Sequence, residues 1–160
     1  MVPRLSLSGL CLVILAVTLG CSKAKVDPCS LFSVSEAQLF DSTISVSKAF
    51  PPKGDEKNDL CLYYNANGEP RLMLFVWSAH KIDPLDAVQS GMRESDSRIV
   101  EITGVGEKAA AGFRAGELRL FAAGNKKGTI GARVRNPMTQ DDPKFDEVQA
   151  LVAKVLGRLK

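Results

Sequence analysis

Six consecutive apolar residues, Leu72-Met73-Leu74-Phe75-Val76-Trp77, lie between Arg71 and Ser78. Successive side chains of a strand point to opposite faces, so this run leaves neither face polar. It is too short for a helix of ordinary length, and its β-branched and aromatic content favours a strand. It therefore predicts an interior strand, Arg71 to Ala79, at the centre of a sheet and covered on both faces.

The flanking sequence supplies neighbours for it. Thr43 to Lys48 alternates Ile44 and Val46 with Ser and Thr, the pattern of a half-buried strand. Phe50 to Asp59 reads as a loop. Leu60 to Asn65 reads as a strand, and Asn67-Gly68 as the hairpin turn that follows it. Arg98 to Thr103 is a further strand. Glu117 to Ala123 and Thr129 to Asn136 pair as a hairpin, with Leu118, Leu120 and Ala122 facing the same way as Ile130, Ala132 and Val134. Between these, Gly104 to Phe113 reads as turns with at most one helical turn.

Three stretches carry helix starts. Ser33-Val34-Ser35-Glu36 has capping-box spacing, and a short helix through about Asp41 follows. Asp83-Pro84 is a cap followed by Pro at the first helical position, with Leu85, Val88 and Met92 as the buried stripe. Asp142-Pro143 repeats that signature ahead of Phe145, Val148, Val152, Val155 and Leu159. Strands in antiparallel pairs with helices between them give an α+β fold: about six mainly antiparallel strands with helices on both faces.

The chain begins differently. Arg4 is followed by an uncharged stretch from Leu5 to Leu19, shorter than the roughly 20 apolar residues that span a bilayer. A basic start, a short apolar core and small residues at its end read as an export signal. Val17-Thr18-Leu19-Gly20-Cys21 resembles the lipobox of bacterial lipoproteins. That resemblance implies cleavage after Gly20 and lipid on Cys21, with more than one acyl chain giving a stable anchor. Ser22 resembles residues that permit outer-membrane sorting where a cell has two membranes. The organisation expected is a signal peptide over 1–20, a lipidated end and tether over 21–28, and one domain over 29–160. The tether from Ser22 to Pro28 reaches at most roughly 25 Å, which keeps the domain close to its membrane.

Charge and cysteine usage fit an exported domain. The chain holds 21 Lys and Arg, Arg4 among them, against 18 Asp and Glu. That near balance argues neither for nucleic acid nor for a strongly charged membrane face, and no nucleic-acid partner is expected. Of the four Cys, Cys11 leaves with the signal and Cys21 takes lipid, so Cys29 and Cys61 remain as an even pair in an oxidising compartment. A disulfide between them is expected; two buried thiols are the alternative. The bridge would close a long loop, worth roughly 3–4 kcal/mol in the chain-entropy account.

Asp27-Pro28-Cys29-Ser30-Leu31-Phe32, the capped helix, Cys61 before a strand, and Gly104-Val105-Gly106-Glu107-Lys108-Ala109 ahead of a hairpin together resemble small bacterial envelope lipoproteins of unknown function. Those are similar in fold to PsbP, an α/β/α sandwich. The resemblance implies a fold and a location, and brings no catalytic residues or cofactor.

Familiar chemistry is thinly represented. Gly104-x-Gly106-x-x-Ala109 matches a loose dinucleotide fingerprint, but that motif needs a parallel βαβ unit, and a tight turn is the plainer reading. Ser78, His80 and Asp83 hold triad residue types without the strained turn that a nucleophile needs, so a solvated strand end is expected. His80 is the sole His, which leaves no His/Cys zinc set, and no metal is expected. The stronger constellation is a face. Arg119 and Phe121 share one side of their strand, Arg133 and Arg135 one side of the next, and Met73, Phe75 and Trp77 one side of the central run. Where those sides coincide, arginines border aromatics, a composition enriched at protein interfaces. The expectation is a non-catalytic envelope lipoprotein that binds another protein. The alternative is a carrier or sensor of a small apolar ligand or glycan, which would need a large apolar pocket.

Overall fold

The computed structural model describes residues 26–51, 58–77, 82–92, 97–124, 128–135 and 138–159. The stretch expected to be a signal peptide, Cys21, Ser78 and His80 lie outside them. In chain order come a 3-10 turn (Pro28–Ser30), α1 (Val34–Ala37), β1 (Ile44–Phe50), β2 (Asp59–Asn65), β3 (Pro70–Trp77), α2 (Pro84–Gly91), β4 (Arg98–Ile102), β5 (Lys108–Arg114), β6 (Glu117–Gly124), β7 (Gly128–Val134) and α3 (Pro143–Leu156). The seven strands form one sheet in the order β1-β2-β3-β7-β6-β5-β4, every neighbouring pair antiparallel. The fold is α+β. Two meanders, β1–β3 and β4–β7, meet where β3 pairs with β7, and α2 carries the chain from the middle of the sheet to its far edge.

The seventh strand is β5, in a stretch whose sequence reads as turns. Its Ala109-Ala110-Ala111 run has high intrinsic helix propensity, and tertiary packing overrides it. Small side chains are what this strand needs, because α2 approaches it closely. A Cβ added at Gly112 would come within 2.6 Å of Val88 Cγ1 on α2 and 3.0 Å of Met92. α1 is also shorter than its sequence suggests, ending at Ala37, with Ala37 and Phe40 still buried. On β1, the register shifts between Ile44 and Val46. That irregularity leaves Ile44 buried but Val46 51% exposed, against the expected common buried side.

One face of the sheet carries the main core. Leu72, Leu74 and Val76 of β3 join Tyr63, Leu118, Leu120, Ile130 and Val134, with Phe145, Val148, Val152 and Val155 of α3 in the same cluster. Tyr63 donates its hydroxyl to the Phe32 carbonyl at 2.8 Å, which satisfies a buried polar group. Cys29 and Cys61 are disulfide-bonded, with Cα atoms 5.2 Å apart, so the segment before α1 is tied to β2. The Ser33–Glu36 capping box is complete. Glu36 also receives Arg158 and Lys154 from the end of the chain, at 2.5 and 3.2 Å. Arg158 donates to the Leu31 carbonyl as well. The first and last described segments are thereby joined.

The opposite face is built differently, and it corrects the reading of the central run. Val88 and Met92 of α2 pack on Ala110 and Phe121 there. α2 lies against β4, β5 and β6. Met73, Phe75 and Trp77 of β3 are only half-buried, whereas Leu72, Leu74 and Val76 are at most 1% exposed. The run Leu72 to Trp77 is thus closed on one face and partly open on the other. Among the described residues, no helix is long and apolar enough to cross a membrane.

Candidate functional site

Cross-strand partners share a face, and the register places the arginine and aromatic residues on the same one. Met73 lies opposite Arg133, and Arg133 opposite Arg119. Phe75 and Phe121 both lie opposite Gly131. β2 and β1 continue this outer face with Leu60, Leu62 and Tyr64, then Phe50, Lys48 and Val46. Leu60, Leu62, Tyr64 and Phe50 are half-buried, and Lys48 sits 5.4 Å from the Phe50 ring centre. A charged Lys and an irregular register on an edge strand are the usual means of blunting strand-to-strand association.

Between this open area and α2 runs a groove of about 360 Å³, lined by Asn58, Phe75, Trp77, Ile82, Ala87, Ser90, Arg119, Phe121 and Arg133. The three rings form a continuous floor. Phe75 and Trp77 stack at 5.9 Å, and Trp77 meets Phe121 at 6.0 Å with the planes tilted by 36°. Two glycines make the arrangement possible. A Cβ at Gly131 would lie 2.5 Å from the Phe121 ring, so that ring can lie across β7 only because no side chain is there. A Cβ at Gly91, the last residue of α2, would overlap the Arg119 guanidinium.

Glu117 organises the polar end. Its carboxylate is 2.5 Å from Arg119 Nε, 2.9 Å from Arg133 Nε and 3.1 Å from Arg114 Nη2. Arg133 Nη2 donates to its second oxygen at 3.1 Å. Burial alone would raise the Glu117 carboxyl, but the bonds from Arg119 and Arg133 outweigh it and hold the group below its ordinary value. The result is a rigid anchor that fixes two guanidiniums beside an aromatic floor.

Trp77, Arg119, Phe121 and Arg133 are therefore brought together as expected. Arg135 is not among the groove residues. It is exposed beyond the end of β7, where its backbone N–H donates to the Arg71 carbonyl. Glu117 is the participant that sequence reasoning missed. The signal was present, since Glu117 and Arg119 stand two apart on one strand face, but its role depends on which strand lies alongside. The glycine motif connects antiparallel strands, with Ile102 opposite Ala109, so no parallel βαβ unit is present for a dinucleotide. Asp83 caps α2 and pairs with Lys108 at 3.0 Å. Among the described residues, no group of three His, Cys, Asp or Glu is placed to hold a metal.

No family model and no curated protein matches this chain. The crystal structure of a GTP binding regulator from Thermotoga maritima is similar at 13% identity and a TM-score of 0.36, across 83% of this chain and 93% of that one. At that level of likeness nothing carries over.

Proposed function

We propose that this chain is a lipid-anchored protein of the bacterial cell envelope whose domain is non-catalytic and binds another envelope protein through the outer face of its sheet. In this reading the first twenty residues are an export signal and Cys21 carries the lipid. The domain is a PsbP-like sandwich held close to the membrane surface, on the periplasmic side of the outer membrane where the cell has two membranes. The Cys29–Cys61 bridge suits such an oxidising compartment.

One observation carries the binding role. α2 covers the outer face over β4–β6, and the aromatic and aliphatic side chains of β2 and β3 remain half-exposed beside Arg119 and Arg133. Contiguous apolar surface rimmed by polar groups marks interaction sites, and aromatic residues with Arg are the types that anchor them. Arg119 and Arg133 around one Glu117 carboxylate form a local cationic spot, not the extended basic stripe that a nucleic-acid surface requires. A small apolar ligand or a glycan is the second reading, favoured by a groove volume within the range of ligand pockets and by the flat Phe75–Trp77 stack.

Cell fractionation tests the anchor. Cys21→Ser moves the protein from the membrane to the soluble fraction; retention of the variant on membranes removes the lipid assignment. A photo-crosslinking residue tests the face in intact cells. At Ser90, on the groove, it captures one stoichiometric envelope protein, and at Glu147, on the exposed side of α3, it does not. Capture at neither position, or equally at both, rejects the face.

A further inference from the structure

We propose that the groove recognises a carboxylate set close to an aromatic side chain, presented by an extended segment of the partner protein. This rests on the reading of the outer face as a protein-binding surface and adds the chemistry of what binds there.

The polar end of the groove is incompletely matched. Arg119 and Arg133 both line it, and the one carboxylate that they share, Glu117, is bonded to Arg114 as well and is not among the lining residues. Arg119 contacts Glu117 through Nε, and Arg133 through Nε and Nη2. The two terminal nitrogens of Arg119 and one of Arg133 therefore have no acceptor among the described residues. No acid stands among the described lining residues to neutralise the second guanidinium. Guanidinium forks held in place by a neighbouring carboxylate lose little freedom on meeting a second one, and they bind it through paired donors. Glu117 thus holds the forks ready for an incoming anion.

The apolar end sets the distance. Arg133 stands opposite Met73 and Thr129 opposite Trp77, four residues apart along β7, or about 13 Å. Phe75, Trp77 and Phe121 fill that interval with ring surface. An extended segment rises about 3.3 Å per residue, so an acidic group at the arginines places a side chain two to four positions away over the rings. Asn58 and Ser90 line the groove, and the Ser90 hydroxyl, which donates to the Ala87 carbonyl at 3.0 Å, can still accept from a backbone N–H.

Trp77 is the only tryptophan of the chain and lies on the groove floor, so its fluorescence reports occupancy directly. The purified full-length protein in detergent micelles is titrated with blocked pentapeptides. One carries Asp and Phe two positions apart, one Asn in place of Asp, one Ala in place of Phe, and one a free C-terminal carboxylate in place of the Asp side chain. The Asp–Phe peptide shifts the emission, and both the Asn and Ala forms bind about ten-fold more weakly, the loss of one charge-assisted contact or one ring contact. Binding of the fourth peptide identifies a chain terminus as the natural carboxylate; its failure identifies a side chain. Arg133→Gln lowers affinity for the Asp peptide to that of the Asn peptide. Equal binding of the Asp and Asn forms overturns the proposal without any protein variant. So does a Trp77 response to free phenylacetate as strong as to the peptide, which would mark a small-ligand site. A response to anionic phosphatidylglycerol vesicles and to no peptide would overturn it in favour of a lipid surface. The crosslinking at Ser90 separates the two levels. Capture there with unselective peptides leaves the binding face standing and removes the carboxylate chemistry.

Discussion

Glu36 is the residue on which both ends of the domain converge. Its carboxylate receives Arg158 at 2.5 Å, Lys154 at 3.2 Å and the backbone N–H of Ser33 at 3.0 Å. The Arg158 bond is the largest influence and holds the carboxyl well below the usual range, against the opposing effect of burial. Asp41 is also held low. Burial would raise it, but bonds from Thr43 and Arg71 prevail. Carboxyls depressed in the folded state stabilise it fully above their unfolded values, near pH 4, and that stability is lost as pH falls further toward the folded values. Urea denaturation at pH 7, 5.5 and 2.5 is therefore expected to give steady stability from 7 to 5.5 and a clear decline by 2.5. Glu36→Gln costs about 2 kcal/mol at pH 7 and shows a smaller acid decline than the wild type. An unchanged acid decline in that variant would separate Glu36 from the effect.

At the scale of elements, the informative case is β5. Ala109-Ala110-Ala111 favours a helix locally, yet these residues form a strand buried on both sides, between α2 and the main core. Nothing within a window of neighbouring residues reveals that α2 will press on one side of it and the main core on the other. Gly112 is where the pressure is greatest, because a Cβ there would lie 2.6 Å from Val88. Gly112→Ala is expected to lower stability by about 1–3 kcal/mol, the range for overpacking a close contact. Pairing it with Val88→Ala restores much of the loss in thermal melts, whereas simple additivity of the two would place the conflict elsewhere. The helices were legible for the opposite reason. Asp83-Pro84, Asp142-Pro143 and Ser33 to Glu36 are capping signals complete within four residues, and all three mark helix starts in the structure.

For the molecule as a whole, the tether and the sheet fix an orientation if Cys21 is lipidated. Val26 packs beside Ala49, Phe50 and Asp59, at the end of the sheet that also holds Trp77. Val26 stands five positions after Cys21, a reach of at most roughly 18 Å. That end of the sheet is therefore expected to face the membrane, with the turn at Ala115 and Gly116 pointing away. A fluorophore on Ala49→Cys should be quenched by headgroup-attached quencher in vesicles carrying the lipidated protein, and one on Ala115→Cys should not; equal quenching would contradict the short-tether geometry. The chain's own sequence determined the inward faces of β6 and β7, the helix starts and the candidate disulfide partners, because each depends on spacing between near neighbours. It also placed arginines and aromatics on matching sides of separate strands. Tertiary structure alone decided the order β1-β2-β3-β7-β6-β5-β4, the turning of Glu117 into the common anchor of Arg119 and Arg133, and the exclusion of Arg135. Strand order follows from contacts between residues distant in sequence, and α2 lies across β4–β6 rather than β3, so which half of the outer face stays open could not be read from local pattern.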